Sequence, residues 1–164
     1  MKKGKKRGTM PIPGTKSGRC PYCGSPVAFR SADGIYKENS KGTMLYVCSR
    51  YPECDAYVRA VPGTRMPAGS MANSSLRALR SEAHKHFDLL FQTGLMTRDE
   101  SYCWLAAKLQ APLSQAHIGR LSEYYCNQVI LESKKMLENR RKAQAGRPKI
   151  QLQQVLGGDA HVAR

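Results

Sequence analysis

Cys20, Cys23, Cys48 and Cys54 fall as two close pairs separated by twenty-four residues. Thiolates in that pattern are soft ligands that close as a tetrahedron on one Zn²⁺. The first pair reads Cys20-Pro21-Tyr22-Cys23-Gly24, where the glycine lets backbone N–H groups turn back toward the sulfurs. The second, Cys48-Ser49-Arg50-Tyr51-Pro52-Glu53-Cys54, has five intervening residues where the first has two. The competing chemistry is two disulfides. The lysine-rich start leads into no apolar signal segment, so a reducing, cytoplasmic compartment is expected, and one structural Zn²⁺ is the favoured reading. Metal also answers a stability problem, because a segment of about forty residues seldom buries enough apolar surface to hold itself together.

Around the cysteines, aromatic and basic residues interleave. Phe29, Tyr36, Tyr46 and Tyr57 are candidate stacking faces, and Arg30, Lys37, Lys41, Arg50 and Arg59 are candidate phosphate contacts. Strand alternation sends neighbouring side chains to opposite faces, so about half of these rings are expected to pack inward. The formal charge of +15 and pI near 9.8 point to a polyanionic partner, nucleic acid before anionic membrane. Lys5, Lys6 and Arg7, with Lys2 and Lys3, make a basic arm expected to be disordered and to touch phosphates without reading bases. A second cluster holds Lys134, Lys135, Arg140, Arg141, Lys142, Arg147 and Lys149. Within it Gly146-Arg147-Pro148 partly matches the core of an AT-hook, but Ala145 stands where a basic residue would, so a helix-ending turn is the preferred reading. Stacking tolerates any base, so single-stranded DNA is the expected ligand, with weak sequence preference and RNA as the alternative.

His84, His86, His117, Cys103 and Cys126 lack ligand spacing and are expected to be inert. Tyr102 and Trp104 are expected in the core. No Gly-rich phosphate loop, Ser-His-Asp set or convergent carboxylates stand out, so a non-enzymatic role is expected. No apolar run approaches the roughly twenty residues that span a bilayer, and no membrane association is expected.

These residues need elements to hold them. Val27–Arg30, Met44–Val47 and Ala56–Arg59 are β-prone runs, with Asp33-Gly34 as a turn signal. Prolines and glycines over 62–72 mark a linker. From Ser74 to Thr93, Leu76, Leu79, Ala83, Phe87, Leu90 and Phe91 recur at helical steps, with Gly94 as C-cap. Thr97 to Glu100 spaces a capping box, Tyr102, Leu105, Ala106 and Leu109 stripe a second helix, and Pro112 ends it. A third helix is expected near Ser122 to Arg141, with Tyr125, Cys126, Val129, Ile130, Met136 and Leu137 inward. The class is α+β: a basic arm (1–18), a four-cysteine antiparallel zinc ribbon (19–61), a linker (62–72), a small helical bundle (73–143) and a flexible tail (144–164).

The stretch from Cys20-Pro-Tyr-Cys-Gly to Tyr46-Val-Cys-Ser-Arg-Tyr-Pro-Glu-Cys54 resembles the C-terminal zinc ribbons of bacterial type IA DNA topoisomerases. That resemblance implies single-stranded DNA binding or docking onto RNA polymerase, and no topoisomerase activity; the alternative function is an adaptor that docks a host polymerase or replication protein. Together with Arg80 to Phe91, Ala106 and the Ala116-His117-Ile118-Gly119 turn, the ribbon is similar to phage and prophage proteins of a zinc-finger-containing family. This likeness implies a bacterial host setting and transfers no chemistry.

Overall fold

A computed structural model of the chain describes residues 18–146. The basic arm with Lys5, Lys6 and Arg7, and the tail from Arg147 onward, lie outside these residues. The order is three strands, then three helices, with no helix among the described residues long and apolar enough to cross a membrane.

Strands β1 (Val27–Ser31), β2 (Met44–Cys48) and β3 (Tyr57–Arg59) form an antiparallel sheet in the order β1-β2-β3. One rung runs Phe29, Tyr46, Val58; the next runs Arg30, Leu45, Arg59. Alternation then separates two faces. Val27, Phe29, Tyr46, Cys48 and Val58 pack with Cys20, Ala56, Ala60 and Met71 on one. Leu45 and Val47 on the other are covered by Ile35, Tyr36, Tyr51 and Tyr57. Between β1 and β2 the chain makes a folded loop rather than a tight hairpin. The Asn39 amide donates to the Ser31 hydroxyl and the Asp33 carboxylate, both at 3.0 Å, while its oxygen accepts the Thr43 N–H at 2.7 Å.

Helix α1 (Ser74–Gln92) starts where the Asn73 side chain accepts the Leu76 N–H, and Gly94 takes a left-handed φ of 67° just past its end. Helix α2 (Arg98–Leu109) opens on a complete capping box of Thr97 and Glu100. Two 3₁₀ turns, Leu113–Gln115 and Ile118–Arg120, lead to α3 (Glu123–Ala145). The three helices share one apolar core of Leu76, Ala83, Phe87, Leu90, Leu105, Ile118, Cys126, Val129 and Ile130. Phe87 sits at its centre, with the rings of Tyr102 at 5.2 Å, Phe91 at 6.1 Å and Trp104 at 6.4 Å. Tyr102 and Trp104 are thus packing residues.

Two expectations change. Tyr125, expected inward on α3, is 39% exposed and lies beside the exposed Tyr124. The inward row is Cys126, Val129, Ile130 and Ser133, one residue round the helix. The stretch 62–72, read as a linker, carries structure of its own. Ala60 bridges Pro67, Tyr57 bridges Ala72, and Met71 and Ala72 are buried. The Ser70 N–H donates to the Gly119 carbonyl at 3.0 Å, tying the stretch to the turn before α3.

Candidate metal centre and the surface around it

Each cysteine pair sits on a knuckle that the backbone closes. In the first, the Cys20 N–H donates to the Ser25 carbonyl at 2.8 Å and the Gly24 N–H to the Cys20 carbonyl at 2.9 Å. Gly24 adopts a φ of 73°, which a side chain would strain. In the second, the longer interval folds into a turn. Tyr51 N–H donates to the Cys48 carbonyl and Cys54 N–H to the Arg50 carbonyl, at 3.1 and 3.0 Å. That turn brings Cys54 back beside Cys48, so five intervening residues serve as well as two.

The sheet register then sets the knuckles face to face. Cys20 Sγ lies 3.6 Å from Cys54 Sγ, Cys23 Sγ lies 3.3 Å from Cys48 Sγ, and all four sulfurs fall within 4.8 Å of one another. A disulfide needs about 2.05 Å. Sulfurs at the corners of a tetrahedron around zinc, at about 2.3 Å from it, would be about 3.8 Å apart. The spacing fits the metal, and the soft four-thiolate donor set is the one that structural zinc takes.

The four thiols differ in charge preference. Cys23 is lowered to about 6, chiefly by the Ser25 hydroxyl and amide, which hold its thiolate. Burial pushes Cys48 up to about 12 and also raises Cys54, against the opposing pull of the Arg50 and Ala56 amides. A divalent cation replaces the protons that these buried thiols otherwise keep. One structural Zn²⁺ on Cys20, Cys23, Cys48 and Cys54 would cross-link β2 to both knuckles and supply no open coordination position for chemistry.

The candidate binding residues divide between the faces. Tyr46 is 6% exposed and its hydroxyl donates to the Arg65 carbonyl, so it is a core ring and not a stacking face. Phe29 is half-buried against Tyr46, with the Arg65 guanidinium over it at 4.6 Å. On the opposite face, Arg30 and Arg59 are exposed on either side of Leu45. Tyr36, Tyr51 and Tyr57 are half-buried there, with Tyr36 and Tyr57 edge to face at 6.2 Å. One side of Tyr57 is already taken by the Arg77 guanidinium at 3.7 Å. Lys37, Lys41 and Arg50 are exposed on loops between the strands.

Sequence reasoning gave no functional role to Tyr51, Arg77 or Arg80. Arg77 donates to the Asp55 carbonyl at 2.7 Å and the Ala72 carbonyl at 2.6 Å and pairs with the Asp55 carboxylate at 3.4 Å. Asp55 also accepts the Ser74 N–H at 2.9 Å, and its acidity is strengthened mainly by Ser74, so the residue after Cys54 anchors the start of α1. The signal for Arg80 was its place in the α1 stripe, four residues after Leu76 and three before Ala83.

A family model described as a zinc-finger-containing domain matches residues 16–136. No curated protein and no solved structure matches the chain. Since the family match begins ahead of the first knuckle and runs through the ribbon deep into α3, the chain belongs to this zinc-finger-containing family.

Proposed function

We propose that this protein is a non-enzymatic, zinc-stabilised nucleic-acid-binding protein that lays single-stranded DNA across the β1–β2–β3 face bearing Arg30 and Arg59. The observation that carries the reading is that rung: two exposed guanidiniums flanking buried Leu45, bordered by Tyr36, Tyr51 and Tyr57. Guanidiniums on a strand's backbone supply affinity without sequence, and tyrosine edges and faces accept any base. The charge of +15 supports the same ligand class, as does the likeness of the knuckles to topoisomerase ribbons. A bacterial cytoplasm, in a phage or prophage setting, is the compartment that this reading implies.

The test is binding of zinc-loaded protein to oligothymidylate, duplex DNA and RNA over a range of salt. Single strands should bind tightest, and Arg30→Ala should flatten the log–log salt slope by about 0.7, one phosphate's worth. Absence of binding to all three at low salt removes the reading. Retention of a host polymerase after nuclease treatment, with no such binding, would put an adaptor in its place.

A further inference from the structure

Between β3 and the first half of α1 lies an open cleft of about 720 Å³. Arg59 of β3 and Arg77, Arg80 and His84 of α1 line it, and no aspartate or glutamate does. The α1 residues follow at three- and four-residue steps, so one helix face supplies them all. Gly69 and Gly119, whose backbones touch, form part of the same wall.

Arg80 is 8% exposed. Its Nε and Nη2 donate to the Leu121 carbonyl at 2.9 and 2.7 Å, and its Nη1 and Nη2 donate to the Ser70 carbonyl and hydroxyl at 2.8 and 2.7 Å. The three acceptors of these four hydrogen bonds are neutral, and no carboxylate among the described residues pairs with it. A buried guanidinium held only by dipoles leaves a positive field in its cavity, and low-dielectric walls focus that field. Arg77 is spent on Asp55 and on the Tyr57 ring. Arg59 and His84 are exposed at the rim.

We propose that this cleft is a nucleotide seat, taking the phosphate of one nucleotide of a strand that continues from the ribbon face toward α1. The inference rests on the nucleic-acid reading and adds to it a second, concave contact. Its volume lies within the range of about 300–1,000 Å³ typical of small-ligand sites, and its charge suits a phosphate. Arg59 and His84, with the Ser81 hydroxyl, make the direct contacts. Arg80, whose N–H groups are mostly committed, acts through its field. The tyrosine pair Tyr36 and Tyr57 borders the cleft on the ribbon side, where the base would lie.

Ser81→Asp sets a carboxylate on the exposed rim without removing any of the Arg80 hydrogen bonds. Asn127→Asp adds the same charge on the exposed side of α3, outside the cleft. In the zinc-loaded full chain, thymidine 5′-monophosphate should shift the amide NMR signals of Gly69 and Gly119. Ser81→Asp should weaken that binding about tenfold, while Asn127→Asp should change it by less than about twofold. Equal effects of the two variants, or no shift at Gly69 and Gly119, would overturn the seat. Oligothymidylate affinity separates the two readings. Binding that falls with Arg30→Ala and ignores Ser81→Asp leaves the ribbon face and removes the cleft; mononucleotide shifts at Gly69 and Gly119 without oligonucleotide binding remove the ribbon face and overturn the seat as part of a strand path, leaving a pocket for free nucleotides.

Discussion

Among the four metal-binding residues the proton inventory is uneven. Cys23, lowered to about 6 by Ser25, is largely ionised at neutral pH before any metal arrives, whereas burial keeps Cys48 and Cys54 protonated. Metal binding must drive protons off the latter, so affinity falls as pH falls and rises as it climbs. At pH 7, loading Zn²⁺ should release fewer than four protons per ion, because Cys23 has little to give. Calorimetry in buffers of different ionisation heat counts them, and a full four would show that Ser25 does not hold the thiolate. The ligand set itself was legible, since thiolates at such spacing have few other uses. The fate of the rings was not. Tyr46 and Tyr57 both lie on strands among basic residues, yet one is sealed by Arg65 and Met71 and the other half-covered by Arg77. Both covers come from segments later in the chain, and no local pattern announces them.

Strands and helices could be read closely, because their signals are local: Val27–Ser31, Met44–Cys48 and Tyr57–Arg59 follow β-prone runs, and the Thr97–Glu100 box opens α2 as spaced. The connection misled. Pro62, Gly63, Pro67 and Gly69 carry the composition of a linker, but Gly69 is small for a packing reason. A Cβ built there would collide with the Gly119 carbonyl, whose oxygen also accepts the Ser70 N–H. Two glycines, fifty residues apart in sequence, thus let the backbones of the connection and the pre-α3 turn meet. Gly69→Ala should therefore cost about 1–3 kcal/mol, as overpacking against rigid backbone does. A lowered urea midpoint with unchanged zinc stoichiometry would bear this out, and a midpoint equal to wild type would mean that the contact is loose.

At the scale of the whole chain, the apolar residues form separate cores that depend differently on the metal. The sheet's inner core includes Cys20, Cys48 and Cys54 themselves, alongside Tyr46, Ala56 and Val58, so removing the ion turns part of it into a set of repelling or reprotonating thiols. Structural zinc supplies about 10–16 kcal/mol of apparent binding energy at neutral pH in small fingers, more than a sheet of this size could replace. The helical core around Phe87, Leu90, Leu105 and Val129 contains none of the metal-binding cysteines. It meets the ribbon and the connection after it through Arg77 on Asp55, Arg80 on Ser70 and the Gly69–Gly119 backbone contact; loss of the Arg77 and Arg80 anchors would fray the start of α1 without emptying the core. Strong chelation should then abolish protection of the β2 amides from hydrogen exchange while most of the helical circular dichroism persists. The anchors predict a graded border, with exchange rising first in the opening turn of α1 around Ser74 to Arg77 and staying slow at Phe87. Collapse of the helical signal together with the ribbon would mean that these anchors make one cooperative unit; unchanged protection at β2 would mean that the sheet stands without its ion.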